Sequence, residues 1–263
     1  MTFTKLTDDS SWLIETSEFC LVIDPWFTEK QVDFSPWFSL QSRKQSYGPF
    51  AFPKEKELLL FISHPFSDHC HKETLLTFPK NTRIFAERRA LKKIRAWQYF
   101  DRLASLEQAP FPLEQRTQTS LFNQTHHAFS LHIEGKQILY APHGVKSNSK
   151  LPQVDLLITT ITTYKLPLLL GGTVNLGLSV AEQIRKQTNA KTVLTTHDQQ
   201  KDSHGLVGIF AKPSYEVPPN GFMQFSPSSG VGGHCIPVDP SYLAHVANQV
   251  GVPATFIKRA NEV

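Results

Sequence analysis

At 263 residues, with 40% hydrophobic and 19% charged side chains, the chain can bury a large core, and it reads as one globular domain of two-sheet size. No run of about eighteen apolar residues occurs, the first nine residues lack the basic and apolar regions of a secretory signal, and Cys20, Cys70 and Cys235 are too few for a disulfide framework. A cytoplasmic protein without a membrane span is expected; the net charge of +4 is mild, and a small-molecule substrate is expected as partner rather than nucleic acid.

In chain order, the first apolar segment ends in Val22-Ile23-Asp24-Pro25. Trp26, Phe27, Phe34, Trp37 and Phe38 follow, aromatics expected to line a pocket or to pack a loop on the core. Leu58-Leu59-Leu60-Phe61-Ile62 reads as a buried strand. It runs into Ser63-His64-Pro65-Phe66-Ser67-Asp68-His69, which sets two imidazoles and a carboxylate within six residues at one sheet edge. Imidazole nitrogen and carboxylate oxygen are donors that a borderline cation such as zinc prefers.

Residues 83–102 hold Arg88, Arg89, Lys92, Lys93, Arg95 and Arg102. Ala90, Leu91, Ile94 and Trp97 recur at spacings of three and four, so a helix with a solvated basic face is expected. His126 and His127 precede Ala128-Phe129-Ser130-Leu131-His132-Ile133, which alternates like a half-buried strand. Glu134-Gly135-Lys136 is a hairpin turn, and Gln137-Ile138-Leu139-Tyr140 returns to Ala141-Pro142-His143-Gly144. The glycine-rich run at residues 171–177 lacks a Walker lysine and a GxGxxG spacing, and reads as the turn into a helix over residues 179–187. Lys191-Thr192-Val193-Leu194-Thr195-Thr196 is a β-branched strand that ends at His197-Asp198.

His64, His69, His143 and His197 thus all lie just past the C-terminal end of an expected strand, where rigid elements hand side chains to open loops. In this pattern the chain resembles the metallo-β-lactamase-fold superfamily over about residues 1–226. Asp24 matches an aspartate after an early strand. His64 to His69 matches the motif His-x-His-x-Asp-His with one change. His126 or His127 matches a third segment, His143 a fourth and His197 a fifth. The resemblance implies an α/β fold, a four-layer αββα sandwich with metal at one edge between two sheets, followed by a short C-terminal appendage.

Two departures shape the expected site. Phe66 stands where that family has its second histidine, and His143 where it has an aspartate that bridges two metals. By resemblance the first metal keeps only His64 and one of His126 and His127, too few for tight binding. The second keeps Asp68, His69 and His197, with His143 as a fourth contact. One divalent ion (zinc, manganese or iron) is expected on Asp68, His69, His143 and His197, with His64 and His127 as contributors or pocket walls. A bound ion brings the pKa of its water to about 7. Asp68 is the expected catalytic carboxylate, and Asp24, His71 or a ligand histidine a proton carrier. A hydrolase of a small ester, lactone or phosphodiester is expected. A closed, catalytically degenerate metal site is the alternative, because four protein ligands suit a structural role.

The tail has a different affinity. Ser228-Ser229-Gly230-Val231-Gly232-Gly233-His234-Cys235-Ile236-Pro237-Val238-Asp239-Pro240, continued to Asn261-Glu262-Val263, resembles the active-site segment of UDP-glucose and UDP-N-acetylmannosamine dehydrogenases. The resemblance implies a nucleophilic role for Cys235, supported by Asp239 and Asn261. No dinucleotide fingerprint precedes the segment, so NAD is not expected, and residues 227–263 read as a fused fragment rather than an independent domain. A remnant of a nucleotide-sugar dehydrogenase remains the third reading. In a further alternative the tail lends His234 or Cys235 to the pocket.

Overall fold

Short, continuous apolar runs on strands covered from both sides build the structure around two sheets. This computed structural model describes residues 1–43, 46–48, 50–116, 125–146, 150–215 and 222–223. In chain order the elements are β1 (Thr2–Lys5), β2 (Trp12–Glu15), β3 (Phe19–Ile23), β4 (Lys30–Asp33), β5 (Ser39–Ser42), β6 (Glu57–Ile62), α1 (Lys72–Leu75), β7 (Arg83–Ala86), α2 (Arg88–Arg95), β8 (Arg102–Ala104) and β9 (Leu113–Gln115). They continue as β10 (Phe129–Ile133), β11 (Lys136–Ala141), β12 (Leu156–Thr159), β13 (Thr163–Lys165), β14 (Thr173–Leu176), α3 (Leu178–Thr188), β15 (Thr192–Thr195), β16 (Asp202–His204), α4 (Gly205–Phe210), β17 (Lys212–Ser214) and β18 (Phe222–Met223). By its contacts the chain divides into Met1–Met223 and Gln224–Val263, and the second unit, with Cys235, lies outside the described residues.

The first sheet has the order β1-β2-β3-β6-β7-β8 and the second β18-β15-β12-β11-β10-β9. Each is antiparallel at one end and parallel at the other. Trp12, Ile14, Leu21, Leu59 and Phe61 of the first sheet meet Phe129, Leu131, Ile138, Tyr140 and Ile158 of the second in the central core. The outer face of the first sheet packs Val22, Leu60 and Ile84 on α1 and α2 through Leu75, Ala90 and Ile94. The outer face of the second packs Leu139, Leu157 and Val193 on α3 through Ala181 and Ile184. The layers are therefore α, β, β, α, the expected sandwich.

Parallel pairing positions the site. Strands that run the same way end at the same edge, and ligands collect beyond their carboxyl ends. Ala141, Thr159 and Thr195 sit level across β11, β12 and β15, and Ile23 pairs with Phe61 across β3 and β6. The loops carrying Asp24, His64, His143 and His197 therefore start from one rim.

Three expectations are corrected. The basic stretch is not one helix: only Arg88–Arg95 is helical, capped by Glu87, whose Oε2 accepts from the backbone N–H groups of Arg89 and Ala90 at 2.8 and 3.2 Å. Arg83 and Arg102 lie on strands, and Trp97 falls past the helix end. Second, β10 is more covered than an alternating strand: Phe129, Ser130, Leu131 and Ile133 are buried and His132 is half-buried. Third, residues 171–177 contain strand β14, and only Gly177, at φ 78°, turns the chain into α3. A Cβ at Gly177 would run into the Thr163 hydroxyl. The expected hairpin at Glu134-Gly135 is present, with φ 46° and 73° at the two turn residues, the left-handed pair of a type I′ turn.

Candidate metal centre

Four donors converge at the shared edge. Ligand atoms of Asp68, His69, His143 and His197 all lie within 4.8 Å of one another. The three imidazoles are buried, while the Asp68 side chain is 15% exposed and reaches the cavity. His69 Nε2 lies 2.8 Å from His143 Nε2 and 3.7 Å from Asp68 Oδ2.

Each imidazole has its Nδ1 engaged from behind. His69 Nδ1 meets Asp24 Oδ2 at 2.6 Å, His143 Nδ1 meets Asn175 Oδ1 at 2.7 Å, and His197 Nδ1 meets Asp9 Oδ1 at 3.0 Å. A carboxylate or amide oxygen at Nδ1 keeps the proton there and leaves the Nε2 lone pair for a ligand. Among the described residues, His197 Nε2 is buried and has no hydrogen-bond partner. A buried polar atom without a partner is rare in a folded protein and calls for one. The three nitrogens and one carboxylate oxygen match the donor set of a divalent transition metal, so the residues fit such an ion.

The supports come from distant parts of the chain. Asp9 lies in the loop between β1 and β2, and its backbone carbonyl accepts from the Thr196 hydroxyl at 2.9 Å and from the His197 N–H at 3.3 Å. Lys201 Nζ donates to Asp9 Oδ2 at 2.6 Å. Burial opposes ionisation of Asp9, but Lys201 and His197 outweigh it and hold the carboxyl well below the usual carboxylate range. Asp24, at φ 46°, is fully buried. Its oxygens accept from the Ser63 N–H at 2.7 Å, the Ser63 hydroxyl at 2.5 Å and the Tyr140 hydroxyl at 2.7 Å, besides His69. Asp24 therefore sits behind His69, with its carboxylate held by Ser63, Tyr140 and that ring. His71 is remote from proton transfer: its Nδ1 accepts from the Thr74 N–H at 3.2 Å as the cap of α1, and its Nε2 meets the Lys30 carbonyl at 3.1 Å.

His64 and His127 stand beside the four donors but not among them. Ring centroids of His64 and His127 are 5.1 Å apart and stacked. His64 Nε2 donates to the Thr125 carbonyl at 2.8 Å and its Nδ1 meets the Ser63 hydroxyl at 2.7 Å, so neither nitrogen is spare. Burial, then the neighbouring His69 and His127, pushes the His64 pKa well below the ordinary imidazole value. Burial does the same to His143, helped by His197 and His69. Burial would lower His69 too, but Asp68 and Asp24 outweigh it and its pKa goes up. Between His126 and His127, the former turns to the Val174 carbonyl at 3.1 Å and the latter stacks on His64.

Two cavities meet at Asp68, His143, Tyr164 and Gln41. One, of about 240 Å³, also takes in His197, Gln199, Lys201 and Ser203. The other, of about 160 Å³, is walled by Phe34, Phe38, Phe66, Leu166, Leu170 and Val207. The aromatic run thus splits: Trp26 is a core residue under the Arg43 guanidinium at 4.0 Å, whereas Phe34 and Phe38 border the second cavity.

Residues 4–197 match the model of the beta-lactamase superfamily domain. The chain belongs to this superfamily. Among solved structures, the beta-lactamase superfamily domain is similar to an isothiocyanate hydrolase from Delia radicum gut bacteria (16% identity, TM-score 0.50, 76% of this chain and 86% of that one). It is also similar to a possible metal-dependent hydrolase from Veillonella parvula DSM 2008 (12%, TM-score 0.54, 78% and 87%). A third is CmlA, a diiron beta-hydroxylase from Streptomyces venezuelae (11%, TM-score 0.51, 95% and 51%). At these identities the likeness is one of fold. No curated protein matches. Residues 214–263 match the model of the UDP-glucose/GDP-mannose dehydrogenase family, central domain, which places the start of that likeness fourteen residues before residue 228. The fold of this superfamily implies a divalent ion. Among the described residues no helix is long and apolar enough to cross a membrane.

Neither Asp9 nor Asn175 stands out in the sequence. Asp9 sits in a polar loop and Asn175 in a glycine-rich run, and nothing local marks either as an imidazole partner. Asp9→Asn is expected to weaken metal binding about 10–100-fold while the fold is kept, since the amide loses the charge that holds His197 and Lys201. Titration of chelator-stripped protein with zinc reads the change, and unaltered affinity would remove Asp9 from the site.

Proposed function

We propose that this chain is a hydrolase of a small ester, lactone or phosphodiester that works with one divalent cation on Asp68, His69, His143 and His197. Zinc is the ion the three-nitrogen, one-oxygen donor set favours, with manganese and iron as alternatives. The observation that carries the reading is the convergence of three back-bonded imidazoles and one cavity-facing carboxylate on a cavity large enough for a small substrate. When bound, the cation supplies Lewis acidity and a nucleophilic water at neutral pH.

The protein's own part is orientation and proton handling. Asp24, Asn175 and Asp9 fix the planes of His69, His143 and His197. Asp68 is the one carboxylate of the cluster that reaches the cavity, and it takes a proton from the attacking water and returns it to the leaving oxygen. The water oxygen joins the acyl or phosphoryl centre, the bond to the leaving oxygen breaks, and the second water proton leaves to solvent as the product acid ionises. Lys201, Gln199, Gln41 and Tyr164 offer hydrogen bonds to the polar part of the substrate. We read residues 227–263, with Cys235, as a fused dehydrogenase-like fragment.

A binding-only module is the competing reading, favoured by the four-residue donor set, which can close the coordination of a tetrahedral ion. Metal analysis by mass spectrometry on tag-free protein, followed by ester, lactone and phosphodiester turnover before and after chelation, separates the two. About one equivalent of metal with chelator-sensitive turnover is expected. One equivalent without turnover of any of the three classes would leave the binding module.

A further inference from the structure

The cavity walled by Phe66 has no place in the polar chemistry above. Most of its lining surface is apolar, and the six residues that supply the apolar wall come from four separate segments. Phe34 and Phe38 come from the turn between β4 and β5, Phe66 from the metal-binding loop, Leu166 and Leu170 from the segment after β13, and Val207 from α4. Phe34 and Phe38 pack edge to face with centroids 5.3 Å apart, and the Phe34 ring is 89% exposed, so the apolar wall continues out to solvent. The Phe66 carbonyl accepts from the His69 and Cys70 N–H groups at 3.1 and 2.7 Å, which pins the turn and points the ring at the cavity. Asp68 and His143 border both this cavity and the polar one that holds Lys201, Gln199 and Ser203.

From this juxtaposition we infer that the substrate is amphipathic, with an aliphatic or aromatic arm on one side of the bond that is hydrolysed and a polar group on the other, and that Phe66 selects the arm. The inference rests on the hydrolase reading for the bond, but not for the arm. An apolar arm leaving water gains free energy in proportion to the area it buries, and among the described residues the Phe66 side offers the more apolar of the two surfaces next to the donors. The polar cavity, with a lysine, two glutamines and a serine, would leave these groups unpaired against a hydrocarbon. Phe66 is thereby a specificity residue in a position where the resembled family carries a metal ligand.

The test compares p-nitrophenyl acetate with p-nitrophenyl hexanoate, and the methyl with the hexyl ester of one polar acid, on metal-loaded full-length protein. A preference for the longer arm of at least about tenfold in kcat/KM, carried mainly by KM, is expected in one of the two pairs. Phe66→Ser should abolish that preference, Phe66→Leu should restore it, and Leu170→Ser should weaken it from a different element. Metal content of all three variants should equal that of the parent. In parallel, hexanoate and hexanol binding is followed by ligand-observed NMR, which needs no turnover. If neither pair shows a preference, or if the preference survives both Phe66→Ser and Leu170→Ser, the inference is overturned while a hydrolase remains. If no ester is turned over but hexanoate or hexanol binds the parent and not Phe66→Ser, the hydrolase reading fails and the apolar arm site stands. Absence of both preference and binding overturns the inference.

Discussion

Replacing His69 or His197 with alanine is expected to strip most of the metal from the purified protein, with turnover falling in step. His69 and His197 each contribute a donor atom to the group of four within 4.8 Å. Removing one leaves three donors and a gap in a dry pocket, and even loss of a partner behind a ligand lowers affinity about 10–100-fold, so loss of the ligand itself should exceed that. His204→Ala is the control, since that side chain is exposed on β16 and faces none of the four donors. Mass spectrometric metal content on tag-free protein reads all three variants. Parent-like metal in His69→Ala and His197→Ala would mean that the ion, if any, sits elsewhere.

The second large effect is expected at Asp24. Its carboxylate gathers two donors from Ser63, one from Tyr140 and one from His69, all in the buried interior. In Asp24→Ala these groups lose their acceptor at once, and breaking a buried charged network of this kind costs roughly 3–5 kcal/mol. Alanine is also poorly suited to the left-handed backbone at φ 46°. Asp24→Asn separates stability from function. Asparagine accepts φ > 0 and keeps one oxygen, so the fold is expected to survive a loss of about 1–2 kcal/mol. The amide can no longer hold the His69 Nδ1 proton with a full charge, so metal affinity should drop about 10–100-fold. Urea unfolding gives the first quantity and metal titration the second. A folded Asp24→Asn with unchanged affinity would reduce Asp24 to a packing residue.

The strands and the places where they end were legible in the sequence because both signals are local. A run such as Leu58 to Ile62 is too apolar and too short to be anything but a buried strand or a helical fragment, and the histidines after it, after Ala141 and after Thr196 repeat the arrangement. Local periodicity misled at residues 83–102, where a 3.6-residue pattern ran on past a helix of only eight residues into a strand. It also misled at β10, where Ser130 is buried on the face that the alternation leaves to solvent.

The sequence by itself determined which chemistry the protein can host: strand ends bearing imidazoles, an aspartate beside one of them, and a phenylalanine where a further ligand would stand. Donor type is a property of the residue, and strand ends follow from short apolar runs, so neither needs a distant partner. Only the tertiary structure decided how those donors are used. It placed Asp24 behind His69, against the Nδ1 of that ring. Asp9 and Asn175, unmarked in the chain, became the groups that aim His197 and His143. Phe66 became part of an apolar cavity wall drawn from four segments. Each of these assignments depends on contact between segments far apart in the chain, brought together because parallel strands of two packed sheets open onto the same edge.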